Sequence, residues 1–437
     1  MKQRALQFLL LAVFTSSAIW GQINCTSGTS ASTKLVCEFP LSTNVLANSS
    51  ALTADGTFAA QSVAAGLDLA VATQLSQLPL ATASAGTIVI IKGGAPETFN
   101  DLGPILADRA QTIGKKKFFL GATASQYVFT DIDGQPLRNF PFSYTSTAEA
   151  STVYTKENLQ GSLVVNQFVI VGTAGVTPKL DLSVIVPITR VSVGAGVPSS
   201  TNYVVSGGSL LFPAQPGATS YYHGNASGVG DVEASFKYAL YVGEHTTFSA
   251  GSFFRMPSGD ALNLLGSGAW GFNPFLAYSY LAKVSPHAKI GYQWNTASEL
   301  NNPTYTNPLS SATTSTSACG TLVCQPNKPL PGGVQYNMGG DWAMSKRFTV
   351  AVDLLGYQFL NVQRLVTSYV TFSTTSGNTS IPTTIAQNSS YWINDLSTGI
   401  KWDPAGSLVF SANLLTQLNN NGFRARPTPL LGIAYKF

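Results

Sequence analysis

His223, His245 and His287 are the only imidazoles in this 437-residue chain, and Ser285 stands two residues before His287. On a β-strand that spacing puts both side chains on one face, where a hydrolase would carry its nucleophile and base. No His-Glu-x-x-His or Gly-x-Ser-x-Gly string accompanies them, and a histidine on a polar-lined strand is ordinarily a solvated residue, so no enzymatic activity and no cofactor are expected. The four cysteines, Cys25, Cys37, Cys319 and Cys324, sit at spacings that suggest two local disulfides, Cys25 with Cys37 and Cys319 with Cys324, with the other two pairings open. A metal site is disfavoured, because no histidine lies near either pair and the spacings fit no zinc pattern.

The charged residues carry a different message. Glu233, Lys237, Arg255, Lys289, Asp353, Asp395, Lys401 and Lys436 all fall in the polar register of segments that alternate polar with apolar residues. In Gly230 to Leu240 one face is Val232, Ala234, Phe236, Tyr238 and Leu240 and the other is Asp231, Glu233, Ser235 and Lys237. Phe168, Phe253, Phe275 and Leu355 are assigned to the same inward register as the charges. A binding site is typically an apolar wall with a few placed polar groups. The candidate solute-binding residues are therefore Phe168, Glu233, Lys237, Phe253, Arg255, Phe275, Lys289 and Asp353, lining a pocket for an amphipathic or aromatic solute with an anionic end near Arg255 and Lys237. Plain filling of a narrow lumen would use the same residues.

Such residues need a scaffold, and composition restricts it. Only 10% of residues are charged against 44% hydrophobic, where an ordinary soluble domain carries roughly 25% charge. The net charge of +4 is scattered, which removes nucleic acid as a partner. Lys2 and Arg4 precede an apolar run from Ala5 to Phe14 and the small residues Ser16, Ser17 and Ala18, the pattern of an export signal cleaved after Ala18 or Gly21. Beyond it no stretch is apolar enough for a membrane-spanning helix.

Residues 22–114 are predicted to form a small plug or periplasmic segment. In it Val63, Leu67, Val71 and Leu75 form one apolar stripe on a helix, Thr87 to Ile91 is a short β-branched run, and Leu102 to Ile113 is read as a second helix. From about residue 115 to 437 the period becomes two. The fold class expected is all-β: a transmembrane antiparallel up-and-down barrel of about twelve strands, fourteen if a loop hides a hairpin, behind the helical plug. A soluble sandwich also alternates, but short links (175–179, 243–245, 281–285, 344–347, 403–406) here alternate with long ones (131–159, 197–228, 297–331, 361–389), as in outer-membrane barrels. Trp270, Trp294, Trp342, Trp392 and Trp402 at strand ends fit interfacial girdles. Arg190 follows the apolar face of Leu182, Val184, Val186 and Ile188 and is placed at the outer interface, where its cost is small.

The strings Gly228 to Tyr238 (GVGDVEASFKY), Arg255 to Gly271 (RMPSGDALNLLGSGAWG) and Ser285 to Asn295 (SPHAKIGYQWN) resemble the outer-membrane family labelled MetA-pathway of phenol degradation, related to FadL-like transporters. The resemblance implies a monomeric barrel with an N-terminal plug that passes hydrophobic small molecules by diffusion. The terminal Phe437 resembles the signal read by the barrel-assembly machinery of Gram-negative bacteria. Implied partners are outer-membrane lipid, that machinery and a small hydrophobic solute. Two other readings stay open: a water-filled porin for polar solutes, and a structural or adhesive surface protein acting through its Ser/Thr-rich loops.

Overall fold

The computed structural model describes residues 22–24, 34–37, most of 66–78 and 88–99, 102, 106–148, most of 151–301, 304–306, and 327–436 apart from 375–376 and 405. Residues 1–21, Cys25, Cys319, Cys324, the Cys37 side chain and Phe437 lie outside the described residues, so the signal, disulfide and terminal-Phe expectations do too.

Twelve antiparallel wall strands close into a barrel among the described residues. They are β1 (Phe118–Ile132), β2 (Ser151–Thr177), β3 (Leu180–Val197), β4 (Ser220–Val229 continued by Glu233–Val242), β5 (Thr246–Arg255), β6 (Gly271–Tyr280), β7 (Val284–Asn295), β8 (Gly333–Ser345), β9 (Phe348–Thr374), β10 (Gly377–Trp402), β11 (Leu408–Gln417) and β12 (Thr428–Lys436). Each strand pairs with the next, and β12 returns to β1 with Tyr435 opposite Leu120 and Leu431 opposite Ala124. One end carries only tight turns; the other carries all the long connections.

The outer surface decides between a membrane barrel and a soluble one. Leu276 and Ile290, paired across β6 and β7, are 59% and 55% exposed, and Leu182, Val184, Phe236, Leu240 and Phe272 share that face. An apolar belt of this extent belongs in lipid. Trp342 and Trp402 lie beside the tight turns, while Trp294 and Trp392 lie toward the other end, all exposed. Val284 is opposite Trp342 and stands ten residues before Trp294 on the same strand, which on a tilted strand gives an apolar band about 25 Å tall. Arg190 faces outward opposite Ser227 and Asn166, in the half away from the turns.

Three predicted long loops are largely strand. β2, β9 and β10 run to 27, 27 and 26 residues, where about 9–11 cross a bilayer. Their far halves continue the wall outward: that of β2 pairs with Phe140–Ala148 and Ser200–Ser206, and those of β9 and β10 pair with each other. Tyr154 stacks on Phe372 at 4.5 Å between centroids. The extensions are Ser- and Thr-rich and bury only scattered apolar residues such as Leu365, Phe372 and Ile381, so the alternation that reveals a strand in sequence is sparse.

Phe168 is a correction. It is 43% exposed on the lipid side of β2, and the inward residues are Leu163, Val165, Gln167, Val169 and Val171. The segment Leu163 to Val171 is apolar on both faces because its inner face packs on the N-terminal segment, which erases the parity signal.

The N-terminal segment departs from expectation twice. Residues 66–67 and 69–75 are helical, but Leu67, Leu69, Val71 and Ala72 are all buried. The barrel surrounds this helix, so no single stripe carries the burial. Its cluster includes Leu163, Val165, Val191 and Val193 from the wall and Leu264 from the outer loop. Residues 106–113 contain no helix, because backbone donors that a helix would use internally are taken by wall side chains. The β-branched run extends to a hairpin, Ile88–Lys92 with Ala95–Phe99.

Candidate functional site

At the turn end of the lumen, Leu102 and residues 106–113 form a strap held by inward side chains of the wall strands. The Leu102 N–H donates to Thr349 Oγ1 at 3.2 Å, and its carbonyl accepts from Lys401 Nζ at 3.1 Å. Arg109 donates to Asp341 Oδ2 from Nε at 3.2 Å and from a terminal nitrogen at 2.6 Å. The Ala110 N–H donates to Ser279 Oγ at 2.9 Å and the Ile113 N–H to Asp181 Oδ2 at 2.9 Å. Lys237 Nζ donates to Asp108 Oδ1 at 3.2 Å and to the Arg109 carbonyl at 2.8 Å. The strap thus bonds to β10, β9, β8, β6, β4 and β3 along the inner rim, and the chain then enters the wall as β1.

Asp341 is shared. His287 Nδ1 lies 3.3 Å from Asp341 Oδ2, and its Nε2 lies 2.8 Å from Asp353 Oδ1. Ser285 Oγ donates instead to the Ala282 carbonyl at 2.9 Å. His287 therefore bridges two wall carboxylates beneath Arg109, and the Ser285–His287 pair shows no nucleophile–base hydrogen bond.

Above the strap and below the helix lies a cavity of about 160 Å³. The helix segment contributes Gln74, Ser76 and Leu78 to its lining, and the wall contributes Glu233, Phe253, Arg255 and Lys289 together with Tyr357, Phe359 and Leu355. Lys289 Nζ lies 4.9 Å from the Phe253 ring centroid and 5.1 Å from that of Phe275, and the two rings lie 5.3 Å apart. Phe253 also lines a smaller cavity on the strap side, together with Phe275, Asp108 and Lys237. The two phenylalanines and the lysine therefore lie between the chamber and this smaller cavity, while Leu106 of the strap also lines the chamber.

Arg255 ties helix to wall, donating to the Ser76 carbonyl at 2.9 Å and to Asn295 Oδ1 at 2.7 Å. Nearby, β4 breaks at Gly230 to Val232. Asp231 turns inward there and accepts from the Ser267 N–H at 2.7 Å, the Gly259 N–H at 3.1 Å and the Ser267 hydroxyl. Gly259 and Gly266 pass so close that a Cβ on Gly259 would lie 2.8 Å from the Gly266 Cα, a close approach only glycine allows. In the same outer loop, burial works to raise the Asp260 carboxyl, but hydrogen bonds from Lys34 and Asn263 more than offset it and hold the group below its ordinary range. Burial pushes Glu299 up, with the nearby Asp260 charge adding to it.

Of the residues nominated from sequence, Glu233, Phe253, Arg255 and Lys289 meet at the chamber and Phe275 lies just beneath. Lys237 binds the strap, Asp353 binds His287, and Phe168 is outside the lumen altogether. Sequence reasoning missed Asp108, Arg109 and Asp341. The signal available was the adjacent Asp108 and Arg109, an opposite-charge pair in a nearly uncharged segment.

No curated protein matches the chain. Among solved structures it is similar in barrel shape to an outer membrane channel from Pseudomonas putida F1, with 14% identity over 75% of this chain and 98% of that one and a TM-score of 0.42. It is likewise similar to the Ralstonia pickettii toluene transporter TbuX, with 12% identity, 79% and 96% coverage and a TM-score of 0.33. A Pseudomonas aeruginosa FadL homologue gives 11% identity, 73% and 88% coverage and a TM-score of 0.29. Over residues 143–316 the chain matches the family described as "Putative MetA-pathway of phenol degradation", the family that its strings between Gly228 and Asn295 resemble.

Proposed function

We propose that this barrel sits in the outer membrane of a Gram-negative cell and passes hydrophobic or aromatic small molecules passively, through a lumen closed at rest by its N-terminal segment. The observation that carries this reading is the strap: Leu102 and residues 106–113 are bonded to six wall strands below a chamber lined by Phe253, Tyr357, Phe359 and Leu355. An open porin would leave that rim to water, and a purely adhesive protein would have no use for an internal chamber. In this reading export uses residues 1–21 as a cleaved signal, assembly uses the terminal strand through Phe437, and the protein performs no catalysis.

Single-channel conductance in planar bilayers tests it, on the refolded chain with and without residues 40–114. Low conductance that rises on deletion is the expected result. Large, steady conductance from the intact chain would mean an open porin instead.

A further inference from the structure

The lumen holds several buried charges, and almost every one is matched. Arg109 has Asp341, Lys237 has Asp108, His287 has Asp353, and Arg424 has Asp395. Asp231 is satisfied by the outer loop and by Arg255 at 3.7 Å. Glu233 and Lys289 are the exceptions, both lining the chamber, and Lys289 is the cation of the two. It is 9% exposed, yet among the described residues its ammonium has no hydrogen-bond acceptor and no carboxylate oxygen within 4 Å. Only the Phe253 and Phe275 rings face it. A desolvated ammonium resting on π-faces alone is under-compensated, and this one lines the chamber.

The remaining lining charges favour an anion. Arg255, Lys289, Arg424 and Arg426 face the chamber against Glu233 and Asp395, and Asp395 is already held by Arg424. Glu233 stands opposite Arg255 in the register of β4 and β5, whose guanidinium is bonded to the Ser76 carbonyl and to Asn295. Its volume, about 160 Å³, is of the order of one ring, and Phe253, Leu355, Tyr357 and Phe359 supply the apolar part of an otherwise polar lining.

We propose that the chamber is a binding site for a monocyclic aromatic carboxylate, its carboxylate accepting hydrogen bonds from the Lys289 ammonium and its ring lying against Phe253. This rests on the channel reading and names the solute class it would select. Binding would lift the ammonium from the rings, replacing a cation–π contact with a charge-assisted hydrogen bond in the same dry site.

Calorimetric titration of the refolded full chain with benzoate and with benzamide, its uncharged analogue of similar size, tests the assignment. The wild-type protein is expected to bind benzoate at least roughly tenfold more tightly than benzamide. Lys289→Met should abolish that preference and Lys289→Arg should retain it. Equal affinity for the two compounds in the wild type overturns the proposal even if Lys289→Met fails to fold, as does a preference that survives in Lys289→Met. Benzamide and toluene binding, with the conductance of the intact chain, judges the channel reading separately: a channel that takes up neutral rings without preferring benzoate keeps that reading and loses this one.

Discussion

Replacing Arg109 by Leu should unlatch the strap. The guanidinium and Asp341 are 2% and 0% exposed and share two hydrogen bonds, at 2.6 and 3.2 Å. Removing one partner of a buried pair typically costs about 3–5 kcal/mol, because the other charge stays buried without it. His287 still faces Asp341 at 3.3 Å, so the lower end applies. A cost of about 3 kcal/mol falls on the closed arrangement alone, since a released strap leaves Asp341 open to water. At 1.4 kcal/mol per factor of ten, the open-to-closed ratio should rise roughly 100-fold. The assay is the ratio of open to closed dwell times in planar bilayers at fixed voltage and salt. Arg109→Leu and Asp341→Asn should not add, because each breaks the same contact. Dwell times indistinguishable from wild type in a folded Arg109→Leu barrel would refute the claim that this pair holds the strap closed.

Four other outcomes follow from the same geometry. A Cβ on Gly175 would fall on the Gly114 carbonyl oxygen where strap meets wall, so Gly175→Ala should raise conductance without altering strand content by circular dichroism. Phe253→Ala with Phe275→Ala should merge the chamber with the smaller cavity below and weaken toluene binding measured by calorimetry; unchanged binding in the folded double variant would remove the partition from the account. Val184→Arg, on the lipid face opposite Gly172, should destabilise the barrel by about 2–4 kcal/mol in urea refolding into vesicles, the cost of a midplane cation in lipid, whereas a lumen position would tolerate it. The Asp260 carboxyl is held below its ordinary range, so its contact with Lys34 at 3.0 Å contributes fully above the unfolded carboxylate value of about 3.9 and is lost as pH falls through the lowered folded value. Faster amide exchange at Leu35 and Val36 on acidification below that point, compared with an Asp260→Asn control, is the expected sign.

The wall was legible in sequence wherever its two faces meet different solvents. From β4 to β8 lipid lies on one side and a polar lumen on the other, and the alternation through Phe236, Tyr238 and Leu240 or through Ala288, Ile290 and Tyr292 follows directly. On β2 both faces meet apolar material, lipid outside and the helix at Leu67 and Val71 inside, so Phe168 could be placed on either. Past the membrane the strands are rich in Ser and Thr, and even their buried face uses residues such as Thr383 and Thr384, so the extensions of β9 and β10 read as loop. The strap was read as a helix from Leu102, Leu106 and Ile113. What that pattern could not reveal is that its backbone donors are claimed by Thr349, Ser279 and Asp181, residues 68 to 247 positions away.

Helix and strap are held by different forces, and that difference locates the movable part. The helix is fixed by apolar burial: Leu67, Val71 and Ala72 lie in one continuous cluster with the wall and the outer loop, and drawing it out would expose several large side chains at about 1.5–3 kcal/mol each. The strap is fixed mainly by polar bonds to inward side chains, and each of these has water as an alternative partner once the strap leaves the rim. Hydrogen bonds that can be exchanged for hydration contribute about 0.5–1.5 kcal/mol net, or about 1.5–3 where a charge takes part. A strap held by bonds of that size, at Leu102 and over residues 106–113, would yield in steps while the helix stays seated, and because Leu106 lines the same chamber as Lys289, its release would alter the site where a solute is held.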